Sequence, residues 1–295
     1  MKFNKILVPD TLINLHYYGW TFIIESIKKD IIDENSNIVL DSFADSCFWQ
    51  VPKSDILFDW VGIVHCVASD PDNLHHQTLT NFVNHQWFLK NKTKCLRLIT
   101  LCKYSADILR TLTNIPVTHM YHPKFCDIFF DIDSYFNNPQ INQSGFHSRN
   151  FFKFAEFDTQ INKVMYVNKE WNNNYINKYL SSISHNINIK NCFLNNSDYI
   201  QNLVSGVGFS YYNDVAGSNS LLEHIVSHTP IVVNKHPAIV EYIGEEYPLF
   251  YENVQHDPDR YLLDYNYIKK CSQYLKNRAG LNIFNIETFK QGLLL

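Results

Sequence analysis

Apolar positions along this chain come in two rhythms. Ile6–Val8, Asn37–Leu40, Val61–Val67 and Leu96–Leu101 are short, nearly unbroken apolar runs, as strands buried on both faces require. Between them TFIIESIKKDIIDE, Leu74–Leu89 and Lys103–Leu112 return apolar side chains at helical spacing, and VTHMY closes the series at His122-Pro123. Alternation of this kind predicts βαβ units around a parallel sheet. The rhythm breaks after Phe125, where CDIFFDIDSYFNNPQINQSGFHSR has a polar, proline-bearing second half that predicts a linker or long surface loop over residues 125–160. It resumes at Asn162 with NKVMYVNK, a helix to about Ser182, and strands at Ile187–Ile189, Val207–Ser210 and Ile231–Val233, with a helix over Ser220–Ser227. The expected fold class is therefore α/β, with two Rossmann-like domains facing a cleft. The first spans residues 1–124 and the second 161–259. Residues 260–295 form a helical tail that caps the second domain or packs back on the first.

Composition narrows the partners. The 25 lysines and arginines against 29 aspartates and glutamates give a formal charge of −4, which argues against a chain that wraps a nucleic-acid backbone. Seven cysteines form no CxxC pair or short-range Cys/His cluster, so they read as free thiols in a reducing compartment, and the expected location is cytoplasmic. Asn91, Asn142 and Asn195 begin glycosylation sequons, which an asparagine-rich chain produces by chance. No apolar run reaches the ~18 residues of a spanning helix, which leaves peripheral membrane contact open.

The densest chemistry lies in Gly206–Phe250. A strand runs into a polar turn with Gly217, Ser218 and Asn219, then into a helix starting near Ser220. Unpaired N–H groups and the positive dipole end at such a helix start suit a diphosphate, although an ordinary capped helix has the same sequence. Glu223 in its first turns is placed to accept the two hydroxyls of a ribose, or to be a plain helix-start glutamate. Glu241 follows the strand and the loop NKHPAIV, and either carries sugar contacts or belongs to a rigid surface turn.

EHIVSHTPIVV and HPAIVEYIG, with Glu223, Pro230, Val232-Val233, Glu241 and Gly244, resemble the GT-B nucleotide-sugar glycosyltransferases that carry a glutamate-led donor helix. The resemblance implies that Glu223 grips the ribose of a nucleoside diphosphate sugar, and that no metal cofactor is required. A second carboxylate of those relatives stands eight residues earlier, where this chain has Val215, with Asp214 one residue off. Their glycine before the Thr-Pro turn is His228 here. In the first half Gly19, in LHYYGW, matches a loop near donor phosphate and acceptor. His65 or Asp70 matches the base that takes the acceptor proton in inverting relatives, a task suited to a pKa near neutral. His122 falls where the chain leaves the first domain. Lys163, Lys169 and Lys235 are the cations expected near the diphosphate, with Lys169 preferred.

The implied activity is a hexosyltransferase-type transfer to a carbohydrate or other hydroxyl-bearing acceptor, with Glu241 or Asp214 toward the sugar. Two other readings stay open. The Asp-x-Asp triplets at Asp70, Asp131 and Asp257 permit a metal-dependent GT-A glycosyltransferase. Val215 and His228 permit a noncatalytic sugar-binding or scaffold protein with the same shell.

Overall fold

A computed structural model describes residues 1–9, 19–69, 76–145, 148–167, 186–191 and 194–295. The chain divides into two units. Met1–Phe125, Asp214–Asn219 and Leu281–Leu295 form the first, and Cys126–Asn213 with Ser220–Gly280 the second.

The first unit is built on a parallel sheet in the order β1 (Lys5–Leu7), β2 (Ile38–Asp41), β3 (Asp59–Val64), β4 (Cys95–Thr100) and β5 (Val117–His119). β3 explains the unbroken apolar run. Val61 and Ile63 join one core with Trp20, Ile23, Ile24 and Ile27 of the Trp20–Ile31 helix, while Trp60 and Val64 join the opposite core with Phe82, Phe88 and Leu109. The final helix, Ile286–Leu294, buries Phe289 and Leu293 in the Trp20 core, and Arg97 Nη2 donates to the Leu293 carbonyl at 2.9 Å. The single helix expected over Leu74–Leu89 is two short ones, Leu79–Asn84 and Gln86–Asn91. His85 interrupts it by leaving the helical conformation and accepting the Trp87 N–H on Nδ1 at 3.2 Å, a side-chain cap that restarts the helix.

The second unit has the strand order β10 (Ile231–Val233), β9 (Val207–Ser210), β6 (Gln140–Ser144), β7 (Asn162–Val167) and β8 (Ile187–Asn191), all parallel. This corrects the linker expected over residues 125–160, which contains the central strand. β6 escaped a hydrophobic reading because its sequence, QINQS, has one apolar residue. Asn142 and Gln143 are nonetheless buried, and the Asn142 amide donates to the Asn202 carbonyl at 2.8 Å. Helices Ile132–Asn137 and Phe151–Glu156 flank the strand in sequence, each started by a capping side chain, Asp131 and Asn150.

Two backbone positions fix how this unit packs. Gly208 on β9 lies beneath the buried His224 ring, and a Cβ there would stand 2.3 Å from His224 Cε1. His228 takes the left-handed conformation (φ 60°) at the end of the Asn219–Val226 helix, which accounts for glycine at this place in the resembled proteins. Its ring stacks on Phe129, with centroids 4.8 Å apart.

Gly208→Ala is expected to destabilise the second unit by about 1–3 kcal/mol through overpacking against that ring. A lowered urea midpoint checks this; an unchanged midpoint contradicts it.

Candidate functional site

The second sheet reverses direction between β6 and β9, since the chain runs outward from β6 through β7 to β8 and then returns to β9 and β10 on the other side. Ligands of doubly wound sheets settle outside the carboxyl ends of the strands at this reversal. Here that place holds a buried charged cluster. β6 is followed by Gly145 in the left-handed region (φ 81°), and a Cβ there would meet the Arg149 guanidinium at 2.9 Å. Glycine is therefore required both by conformation and by the close approach. The loops after β6 and β9 are laced together by Asn150 N donating to the Tyr211 carbonyl at 2.8 Å and Asn213 N to the Ser148 carbonyl at 2.9 Å. Arg149, 7% exposed, donates through Nε to Ser210 Oγ and through Nη2 to Tyr212 Oη, each at 3.4 Å, with the Tyr212 ring 5.1 Å from its Cζ.

Glu223 belongs to the same cluster. It is buried, and one of its carboxylate oxygens, Oε2, accepts the Tyr199 hydroxyl. Burial first, then the Glu223 carboxylate, push the Tyr199 phenol well above its usual value, while Ser144 and the Arg149 charge pull the other way. His224, one residue on, is held neutral. Burial lowers its pKa to about 4, and the Arg149 charge adds to the effect. The Thr229 carbonyl lies 3.3 Å from its Nδ1. That contact places the ring proton on Nδ1 and leaves Nε2 bare above Gly208. Ser144, Tyr166, Tyr199, Gly208 and His224 line a cavity of about 20 Å³ beside the cluster.

The first unit holds a second constellation. Asp45, in the 3-10 turn Ala44–Phe48 after β2, is buried and accepts the His65 backbone N–H at 3.1 Å, with His65 Nδ1 at 3.4 Å from the same oxygen. Burial alone raises the Asp45 carboxyl, but hydrogen bonding and charge from His65 outweigh it and hold the group below its ordinary value. The His65 ring stacks on Phe43 at 3.6 Å and meets Trp20 edge-on at 4.9 Å. His65 Nε2 and Trp20 Nε1 are buried atoms without a hydrogen-bond partner among the described residues. Such groups are costly unless a ligand or water completes them. Trp20 also leans on the buried His122, whose Nδ1 lies 2.6 Å from the Pro123 carbonyl.

The sequence-predicted residues fall unevenly across these sites. Asp70 and Lys169 lie outside the described residues. His65, Gly19, Asp214, Gly217, Ser218 and Asn219 fall in the first unit, and Glu223, Lys235 and Glu241 in the second. Gly19 is buried and precedes the first turn of the Trp20–Ile31 helix. Asp214 is buried as a loop anchor: Oδ2 accepts from Ser69 N at 2.6 Å and Ser69 Oγ at 2.9 Å, and Oδ1 from Val215 N at 2.7 Å. Gly217, Ser218 and Asn219 are half-buried at the start of the Asn219–Val226 helix. Lys235 is exposed and pairs with Glu245 at 3.1 Å, while the half-buried Glu241 lends its carbonyl to Arg278.

Lys163 is not a phosphate ligand. It is fully buried, and its ammonium donates to the carbonyls of Phe154, Ala155 and Phe157 at 2.9 to 3.1 Å, closing the Phe151–Glu156 helix. Two of the three Asp-x-Asp triplets are also structural. Asp131 caps Ile132–Asn137, Asp257 caps Pro258–Leu262, and Asp259 accepts from Thr159 Oγ1 and Gln160 N. Among the described residues no group of three His, Cys, Asp or Glu side chains is placed to hold a metal ion. Arg149, Tyr199 and Asp45 were missed from sequence. Gly145 four residues before Arg149 was the one local signal, and it lay in the stretch read as a linker.

No family model and no curated protein sequence matches the chain. Its fold is similar to that of several solved proteins. A variant of TarM from S. aureus, solved with fondaparinux, α-GlcNAc-glycerol and UDP, matches at TM-score 0.63 and 14% identity over 92% of this chain and 57% of that one. Sucrose-phosphate synthase from Thermosynechococcus elongatus matches at 0.64 and 10% identity over 92% and 76%. HepE from Anabaena, solved with UDP and glucose, matches at 0.59 and 11% over 95% and 83%. The chain thus spans a little over half the length of TarM. Together with the two parallel sheets, these likenesses establish a GT-B-like fold of two Rossmann-like units.

The neutral His224 gives the fold a pH signature. Its pKa near 4 in the fold lies below the ~6.5 of an unfolded chain, so the unfolded state gains the proton first as pH drops. Stability is expected to fall between about pH 6.5 and pH 4, by up to ~3 kcal/mol relative to His224→Gln. Urea midpoints of the two proteins across this range check it; parallel profiles contradict it.

Proposed function

We propose that this protein is a glycosyltransferase that moves a sugar from a nucleoside diphosphate donor to a hydroxyl-bearing acceptor, without a metal cofactor. The observation that carries the reading is the buried Arg149 at the carboxyl ends of β6 and β9, whose charge reaches Tyr199, the hydroxyl partner of the buried Glu223. A guanidinium held there has the fork geometry that phosphate oxygens accept, and charge on the leaving diphosphate grows as the glycosidic bond breaks. UDP-bound TarM and HepE, similar in fold, supply the donor class.

In this reading Glu223 accepts hydrogen bonds from the ribose hydroxyls, with Tyr199 fixing one of its oxygens. Arg149 and Lys169 neutralise the diphosphate, and the N–H groups of Gly217, Ser218 and Asn219 add to them. Glu241 serves the sugar, and Lys235 assists from the surface. Asp214 holds the Ser69 loop in place. Acceptor chemistry belongs to the first unit, with Gly19 beside it. His65 takes the acceptor proton on Nε2, while Asp45 sets the ring's tautomer through Nδ1 and stabilises the cation that forms, and Asp70 is the alternative base. The expected setting is cytoplasmic, with a carbohydrate as acceptor.

Calorimetry with UDP, GDP and dTDP tests the donor claim. One of them is expected to bind, with Arg149→Ala or Glu223→Ala weakening it at least ~10-fold, or by about 1.4 kcal/mol. Absence of binding by all three sinks the proposal. His65→Ala is expected to leave donor binding intact and to slow transfer by about 10²–10⁴. Equal turnover by the variant removes His65 as the base.

A further inference from the structure

The sheet of the first unit separates two places. Trp20 and the Phe43 beside His65 pack on one face, while Cys47 and Trp87 belong to the core on the other. On that second face the segment from the Ala44–Phe48 turn to Asp55, together with the helices Leu79–Asn84 and Gln86–Asn91, borders an open recess of about 710 Å³. The volume lies within the ~300–1,000 Å³ of small-molecule sites. Neither the donor site nor the His65 constellation uses it.

The walls are clamped by bonds made outside the recess. Lys53 pairs with the buried Asp41 at 2.6 Å and donates to the Phe43 and Ala44 carbonyls at 2.9 Å. Trp87 Nε1 donates to the Ser54 carbonyl at 2.9 Å, and the Ile56 N–H to Asn91 Oδ1 at 2.8 Å, so the segment entering β3 is fixed to the Gln86–Asn91 helix. Charge then narrows what the recess can take. Lys53 has three partners for its three ammonium donors, with Nζ 4.2 Å from the Trp87 ring, and Lys90 pairs with Asp55. Among the described residues no other Lys, Arg, Asp or Glu lines the recess. A phosphate or polyanion therefore meets only cations that are already matched.

What the lining leaves open is amide and imidazole. Among the described residues the Gln86 side chain makes no hydrogen bond, and Gln50 uses only Oε1, which accepts from Ser46 Oγ at 3.1 Å. Asn81 and Asn84 use only their amide NH2 groups, on the His76 and Thr80 carbonyls at 2.9 Å. His85 accepts the Trp87 N–H on Nδ1, which puts its ring proton on Nε2. The lining thus offers donors from Gln50 and His85, acceptors from Asn81 and Asn84, and both from Gln86. Phe48 meets the His85 ring edge-on at 5.4 Å and adds apolar surface. A sugar hydroxyl both donates and accepts, and the C–H face of a pyranose is apolar. An apolar peptide or lipid would leave the amides unpaired.

We propose that this recess binds a neutral oligosaccharide, at a site separate from the donor site. The proposal stands whether or not the donor reading holds. A glycan held there by part of its chain keeps its remaining hydroxyls at raised effective concentration around the enzyme.

Ligand-observed NMR with maltohexaose, cellohexaose and chitohexaose tests it. At least one is expected to bind with a Kd of about 1 mM or tighter, and Asn84→Ala/Gln86→Ala to weaken it at least ~10-fold. Both side chains are exposed, so the urea midpoint of this variant should match wild type. Should it shift, Gln86→Ala alone takes its place, with a weakening of at least ~3-fold for one lost hydrogen bond. Added salt is expected to leave the affinity unchanged. Failure of all three sugars to bind, or equal binding by the recess variant, overturns the proposal. Binding of heparin in place of the neutral sugars also overturns it and assigns the recess to a polyanion. Loss of sugar binding in Glu223→Ala but not in the recess variant places the sugar at the donor site and overturns it as well. Nucleoside diphosphate affinity should be the same in the recess variant and wild type, which separates failure of this site from failure of the donor reading.

Discussion

The second unit is organised around a guanidinium that is out of water. Arg149 is buried at the carboxyl end of the central strand, and burying a charge costs several kcal/mol unless its surroundings are arranged for it. Much of the local sequence serves that arrangement. Gly145 provides a left-handed turn and a missing Cβ against which the guanidinium lies. Ser210 and Tyr212 at the end of β9 supply oxygen atoms and a ring face, and the backbone bonds of Asn150 and Asn213 hold the two loops in register. The field of this cation extends to Tyr199 and His224, which binds the Glu223 helix to the same electrostatic unit. The strand order decides where all of this sits, because the reversal between β6 and β9 leaves the carboxyl ends of both strands open to a ligand.

The first unit solves a different problem with fewer charges. His65 lies at the end of β3 between Phe43 and Trp20, and Asp45 reaches it from the turn after β2. Asp45 remains ionised although buried because His65 and neighbouring N–H groups stabilise the anion. The same carboxylate accepts the Cys66 thiol at 3.4 Å, and burial together with that negative charge keeps the thiol protonated. An imidazole with a carboxylate 3.4 Å from Nδ1 and no described hydrogen-bond partner at Nε2 is the arrangement a proton acceptor needs.

Much of this was legible in the chain, for reasons that can be named. β3 and β4 announce themselves by nearly unbroken apolar runs, and the helix that carries Glu223 by the polar turn before it. β6 was illegible because a strand flanked by two others satisfies its backbone whatever its side chains are. Here Asn142 and Gln143 are buried in place of apolar residues, so the hydrophobic rhythm stops where the sheet's centre is. Arg149 was lost with it. Lys163 misled in the opposite direction: a lysine beside a strand end reads as a cation near the diphosphate, yet its three donors close a helix. Asp131 and Asp257 resemble metal ligands in spacing and serve as helix caps, since a carboxylate before a helix start has the same sequence in both roles. His228 shows why a missing glycine need not change a fold. The left-handed conformation is kept, and stacking on Phe129 offsets part of its cost.

These departures also bear on the choice between an enzyme and a scaffold with the same shell. Val215 and His228 differ from the resembled pattern, but both are accommodated by packing: Val215 is buried, and His228 retains the turn. The costly residues are the ones a scaffold would have no need of. A buried arginine, a buried glutamate tied to a tyrosine, and a histidine and tryptophan with orphaned ring nitrogens each lower stability relative to apolar residues of the same volume. None of them is required to hold the sheets together, because β6 and β9 pair through their backbones and the cores around Trp60 and Phe209 are aromatic and aliphatic. Among these groups the unpartnered His65 Nε2 and Trp20 Nε1 carry the clearest cost, which a ligand or water at the end of β3 would offset.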